Sequence, residues 1–326
     1  MLKKIRTSIN KFKEAPDKTV ALMPTVLVFA TYLLLLLTKL IDVTLINRDN
    51  EYLSVILLQM MIFLVPAAVW CRFCGENYTK GLRIRAPKLD SLPLILSATL
   101  LMISGGILLS MLFGGLDSLS QNFSLYDTFV SKDDGTVPVK LYLILAYAAL
   151  PAVCEEFVYR GILCCEYERG GVLRAVILSG LFFGLLHFNL RNLPVYIFAG
   201  AILALTMYAS RSLFGAVIAH FLYNIFGLFA QPYVATFYDI TESTELFIII
   251  LGILFLASGA VFCSQAARLY KQYYYRAYSA NYRKPEMRGF ENIKNAYLDV
   301  ITKPSAIACF ALYIVVAVVS VIRSVS

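Results

Sequence analysis

The sequence predicts an all-α protein, a polytopic transmembrane bundle of about nine spans with its N-terminus in the cytoplasm. Its composition and the length of its apolar runs set the class. The chain of 326 residues is 59% hydrophobic and only 15% charged, with a mean hydropathy of +0.71. A soluble protein of this size cannot hide that much apolar surface, whereas a bilayer solvates it. Several runs approach the roughly 20 residues that cross a hydrocarbon core. The segments of about ten alternating residues that mark a transmembrane β-barrel are absent from the sequence.

In chain order, residues 1–20 are basic, carrying Lys3, Lys4, Arg6, Lys11, Lys13 and Lys18. The Leu-rich run that follows is longer than the apolar region of a signal peptide and lacks its small-residue cleavage site. It reads as a retained first span, 21–45. Further spans are expected at 52–71, 92–113, 139–163, 175–189, 194–209, 215–231, 246–263 and 306–322. Orientation follows the positive-inside rule. With the N-terminus inside, the outer side holds only Lys39, Arg48, Lys132, Lys140, Arg191 and Arg323 of the 29 Lys and Arg. The chain divides into a basic segment with three spans (1–138), a four-helix membrane core (139–231), and two C-terminal spans joined by a basic, Tyr-rich cytoplasmic segment (232–326).

Several functional classes drop out at this stage. The seven cysteines lie mostly in spans or at cytoplasmic ends, where disulfides are not expected. Cys71-Arg-Phe-Cys74 is a lone pair with no second to complete a zinc site. In 264–305 cations mix with Tyr273, Tyr274 and Tyr275, a pattern that ordinary contact with headgroups and anionic lipid explains. No nucleic-acid partner is expected; the expected partners are the lipid bilayer and a peptide or membrane-protein substrate. No internal repeat indicates paired transporter halves.

The chemistry concentrates in the core. Ionisable groups inside a bilayer are expensive and are functional candidates by default. The chain has two histidines, and both lie in apolar spans beside other polar groups. Glu156 and Arg160 are spaced i, i+4 in the favourable order for an ion pair. Glu155 lies about 100° round the helix, with Tyr159 one turn below it, so it can face a cavity as a general base. Arg160 alone would equally fit a cation snorkelling at the end of a span. Phe183 precedes His187 by one turn on the same face, and Gly180 and Gly184 form a small-xxx-small surface for a neighbouring helix. His220 and Asn224 are another i, i+4 pair, offering two donors in one direction as an oxyanion site requires. Helix–helix hydrogen bonding would use the same pairs. At 1.5 Å per residue, Glu155, His220 and Asn224 lie roughly 12, 8 and 14 Å from the inner face and His187 roughly 18 Å.

Glu-Glu-x-x-x-Arg, then Phe-x-x-x-His, then His-x-x-x-Asn, in that order on separate spans, resembles the CPBP intramembrane proteases. These include type II CAAX prenyl endopeptidases and bacteriocin-processing or self-immunity (Abi-like) proteins. The resemblance covers residues 139–231. It implies an intramembrane endopeptidase in which Glu155 with His187 activates water, His220 and Asn224 stabilise the oxyanion, and Glu156 and Arg160 hold the site. The expected activity is hydrolysis of membrane-associated or lipidated polypeptides without a cofactor. One divalent metal, zinc at Glu155, His187 and His220, is the alternative, although the chain has no His-Glu-x-x-His. A non-catalytic immunity or scaffold protein of the same family is the alternative function. The implied location is the plasma membrane of a prokaryote.

Overall fold

The computed structural model describes residues 23–38, 51–75, 78–114, 135–276 and 290–325. The basic residues 1–20, most of the expected outer loop 114–138 and the Tyr-rich stretch from 277 to 289 lie outside the described residues. Among those described, every regular element is a helix: α1 Met23–Thr38, α2 Glu51–Cys74, α3 Leu92–Gly114, α4 Val137–Tyr167, α5 Val172–Leu186, α6 Leu193–Ser210, α7 Leu213–Phe229, α8 Gln231–Thr241, α9 Thr244–Arg276, α10 Phe290–Ile301 and α11 Pro304–Val325.

Among the described residues each of the nine apolar runs contains a helix. Six of the helices are long and apolar enough to cross a membrane, and α7 with α8, bent by 68° at their junction, would make a seventh. The other two, α1 and α5, are shorter apolar helices. The bend at α8 falls in what the sequence marks as an outer loop. There Pro232 starts the second helix at a position where a missing N–H costs nothing. Helix α9 runs past its expected end at 263 to Arg276. The extension, Ser264 to Arg276, contains no Gly or Pro and is rich in good helix formers.

Two features of the core shape the site. Helix α4 is one rod containing two π-helical stretches, Leu145–Ala149 and Phe157–Leu163. Pro151 follows the first. It supplies no N–H to the turn before it, so the ladder there widens. Helices α5 and α6 approach backbone to backbone. A Cβ on Gly200 would stand 2.8 Å from the Gly180 Cα, and one on Gly184 would stand 3.2 Å from the Ile197 N. The glycine surface read from Gly180 and Gly184 meets its partner in α6. The resulting core gathers α1, α2, α4, α5 and α11 around Tyr32, Tyr159, Phe182 and Phe183. The Tyr32 hydroxyl donates to the Phe182 carbonyl and ties α1 to α5.

Candidate active site

The expected site residues come from three helices. Glu155, Glu156 and Arg160 lie on α4, His187 caps the C-terminus of α5, and His220 and Asn224 lie on α7. Helix α6 adds a backbone carbonyl and a ring that the sequence did not single out. At the centre, Arg160 Nη1 donates to Glu156 Oε1 at 2.7 Å, both side chains fully buried. His220 Nδ1 sits 2.9 Å from the same oxygen. The i, i+4 pair read from spacing is therefore formed, and His220 joins it as a third member.

Arg160 is accommodated in an apolar core by more than its carboxylate. Nη2 donates to the Gly200 carbonyl of α6 at 3.0 Å. The guanidinium carbon also lies 4.3 Å from the centre of the Phe183 ring, a cation–π contact that strengthens on desolvation. Phe183 is a hub: its ring meets Tyr159, His187 and His220 edge-on at centroid distances of 5.5, 5.0 and 5.7 Å.

His187 is fixed from two sides. Its Nδ1 is 3.0 Å from the Phe183 carbonyl. A carbonyl only accepts, so Nδ1 carries the proton and Nε2 of the neutral ring is a lone-pair acceptor. The ring stacks on Tyr196 of α6 at 3.8 Å and 10°. Tyr196 leaves no signal in the sequence, because the contact crosses the turn between α5 and α6, which the Asn189 side chain closes by accepting from the Asn192 N–H. The span expected at 175–189 stops as a helix at Leu186, with Phe188 at a φ of 49°. His187 is thus at a helix end rather than inside a helix.

The two glutamates differ sharply in surroundings. Glu156 is clamped, whereas Glu155 is half-buried and its Oε2 has no hydrogen-bond partner. Glu155 interacts electrostatically with His220, Glu156 and Arg160 and with Tyr196; His187 interacts with His220 and Arg160. No hydrogen bond joins Glu155 to His187 directly. Glu155 and His187 are the partly exposed members, while Glu156, Arg160, His220 and Asn224 are buried. Asn224 Nδ2 lies 3.4 Å from the Ala148 carbonyl in the first π stretch of α4. That single contact leaves the second amide hydrogen uncommitted.

Among the described residues no group of three His, Cys, Asp or Glu side chains is arranged to hold an ion. His220 Nδ1 faces Glu156 and His187 Nδ1 faces a carbonyl, so each ring would meet any further ligand through Nε2.

An apolar multi-helix bundle with a buried carboxylate–guanidinium–imidazole cluster defines an integral, multi-pass membrane protein with a polar centre. Residues 137–226 match the family model "Type II CAAX prenyl endopeptidase Rce1-like", a similarity that bears out the resemblance carried by the three motifs. The match runs from the start of α4 into α7, includes all six site residues, and supports a CAAX-type intramembrane protease role in general. No curated protein and no solved structure matches the chain.

Proposed function

We propose that the protein is an intramembrane endopeptidase in which Glu155 is the general base and Glu156 is not. The observation that carries this reading is the unequal treatment of the two neighbours. Arg160 and His220 both hold one oxygen of the fully buried Glu156, while among the described residues the partly exposed Glu155 carboxylate accepts no hydrogen bond at either oxygen. A base must have a lone pair free for the proton it takes.

In this reading a water between Glu155 and His187 Nε2 loses its proton to Glu155 as its oxygen bonds to the scissile carbonyl carbon. The carbonyl π pair moves onto oxygen, where His220 Nε2–H and Asn224 Nδ2–H receive it. Collapse of the tetrahedral intermediate re-forms the carbonyl and breaks the C–N bond. The departing nitrogen takes the proton from Glu155. Because Glu156 accepts from His220 Nδ1–H, Nε2 can donate only when the ring is an imidazolium, which gives the Glu156 clamp a chemical purpose beyond packing. Substrates would be membrane-associated or lipidated polypeptides entering laterally between helices. The cation asymmetry supports a cytoplasmic N-terminus, and a prokaryotic plasma membrane is the proposed location.

The test is peptide cleavage by the purified protein with and without a chelator. Glu155→Gln is expected to lower turnover by about two to four orders of magnitude with thermal unfolding unchanged, and the chelator is expected to leave the wild type unaffected. Near-normal turnover in Glu155→Gln would overturn the assignment of the base. Stoichiometric zinc by elemental analysis, lost together with activity in His187→Ala and His220→Ala, would establish the metal reading instead.

A further inference from the structure

A second polar cluster lies at the opposite end of α5 from His187, on the order of 20 Å along the helix at 1.5 Å per residue. Arg174 is the third residue of α5, whose N-cap is Gly171. Its side chain is only 7% exposed and folds back over Gly170. A Cβ there would stand 2.0 Å from Nη1 and 2.9 Å from Cζ. The guanidinium carbon lies 5.8 Å from the centre of the Tyr167 ring, and Tyr297 of α10 is an electrostatic neighbour. Among the described residues Arg174 has no carboxylate and no hydrogen-bond acceptor. Its Nε and the Tyr167 hydroxyl, on a side chain 2% exposed, are both buried without partners.

This placement is electrostatically unfavourable as it stands. A helix N-terminus carries a partial positive charge and orphan N–H donors, and cations belong at the other end. A guanidinium buried in the first turn adds a full charge to that end. Unmet donors at buried charged groups are costly. Glu168, the nearest carboxylate in sequence that could have answered it, pairs instead with Arg83 at 2.8 Å. The missing element is an anion. Helix α10 indicates its depth: its apolar residues Tyr297, Val300 and Ile301 pack on the same core as Tyr167 and Val176, while Lys294 and Asn295 are exposed. An amphipathic helix of this kind lies at the membrane–water boundary, where phosphate groups are concentrated. Leu173, beside Arg174, is 68% exposed, so the first turn of α5 is open to an approaching ligand.

We propose that the N-terminus of α5 is a phosphate-binding site formed by the Arg174 guanidinium, the Tyr167 hydroxyl and the first backbone N–H groups of α5. The phosphate is that of an anionic lipid headgroup or a free phosphate, and the two differ in the test. Arg suits either because its planar fork binds two phosphate oxygens at once, with helix N–H groups completing the shell.

The full-length protein is purified into phosphate-free, phospholipid-free detergent and its thermal unfolding followed during titration. The probes are short-chain phosphatidylglycerol, inorganic phosphate, and a diacylglycerol of equal chain length as a neutral control. Ligand binding to the folded state raises Tm by mass action. The wild type is expected to gain stability from a phosphate-bearing probe and none from diacylglycerol. Arg174→Gln and Gly170→Ala are each expected to weaken that response at least about tenfold, the value of one charge-assisted hydrogen bond. Gly170→Ala keeps the guanidinium but displaces it, so it decides the matter if Arg174→Gln does not fold. Tyr167→Phe should show a smaller loss. A response to phosphatidylglycerol at concentrations about tenfold or more below those of inorganic phosphate assigns the lipid headgroup, and equal responses assign free phosphate. No response from the wild type to either probe, or an unweakened response in Gly170→Ala, overturns the site.

Discussion

His220 Nδ1 and Glu156 Oε1 are 2.9 Å apart, and the same oxygen accepts from Arg160 Nη1 at 2.7 Å. One carboxylate oxygen thus joins α4 to α7 and holds a buried cation at the same time. Its partner oxygen, Glu156 Oε2, is buried without a hydrogen bond. The cluster is therefore asymmetric, and removing its one negative charge should cost far more than removing Glu155.

Glu156→Gln keeps the shape but leaves Arg160 fully buried with no counter-charge. Breaking one side of a buried pair typically costs about 3–5 kcal/mol. Denaturation in detergent should show a loss of that size, whereas Glu155→Gln, which breaks no hydrogen bond or ion pair among the described residues, should cost much less. In Glu156→Gln/Arg160→Met much of the loss should return, because no orphan charge remains. A double variant as unstable as the sum of its singles would mean that the two side chains are not energetically coupled.

Tyr196 fixes the plane of the His187 ring and interacts electrostatically with Glu155. Tyr196→Phe preserves the stacked face and should retain turnover within about threefold, whereas Tyr196→Ala frees the imidazole. Misplacing a catalytic group by about 1 Å can cost on the order of a hundredfold, so kcat should fall by roughly that factor with KM little changed. The separation of kcat from KM, together with rescue by Phe, distinguishes positioning from general packing. Equal loss in both variants would assign the effect to the hydroxyl instead.

The proposed chemistry requires Glu155 ionised, so kcat/KM should fall as pH drops through the Glu155 titration, because a protonated carboxyl cannot take the water's proton. Glu155→Gln should abolish that acid limb along with most of the turnover. His220→Gln keeps an amide donor near the oxyanion but misplaces it, and should run about two to three orders of magnitude slower while retaining the acid limb. An acid limb that persists unchanged in Glu155→Gln would remove Glu155 from the role of base.

What was legible in the sequence was whatever side-chain periodicity encodes. Among the described residues the apolar runs contain helices because hydropathy and span length are one-dimensional signals. The Glu156–Arg160 pair formed because helical periodicity brings i and i+4 together. The Gly180 and Gly184 surface was readable for the same reason. Contacts that cross between helices were not. His220 reaching Glu156 and Tyr196 stacking on His187 each depend on how two helices pack. The Gly200 carbonyl that receives Arg160 leaves no side-chain signal at all. The π stretches of α4 were partly announced by Pro151, which removes a ladder donor, but nothing in residues 157–163 forecasts the second. Helix α10 could have been found. Phe290, Ile293, Tyr297, Val300 and Ile301 recur at intervals of one to four, compatible with one apolar face, whereas by composition 264–305 reads only as a basic, Tyr-rich segment in contact with headgroups.

The glycine contact between α5 and α6 gives a last, purely steric prediction. A methyl at position 200 would meet the Gly180 Cα at 2.8 Å and the Phe183 Cδ1 at 3.1 Å. The first is backbone and cannot swing aside, so Gly200→Ala must push the two helices apart. Overpacking of this kind typically costs about 1–3 kcal/mol. The same displacement would draw the Gly200 carbonyl away from Arg160 Nη2 and move Phe183 beneath the guanidinium. Gly200→Ala should therefore lower both Tm and turnover, although it removes no polar group. By contrast, a Cβ at Gly252 on α9 would meet nothing within 4 Å. Gly252→Ala should be neutral or slightly stabilising, since Ala is favoured over Gly in a helix by about 1 kcal/mol. Unfolding and cleavage measured side by side on the two variants check the argument. Equal tolerance at both positions would show that the close approach of α5 and α6 is not what holds the cluster in place.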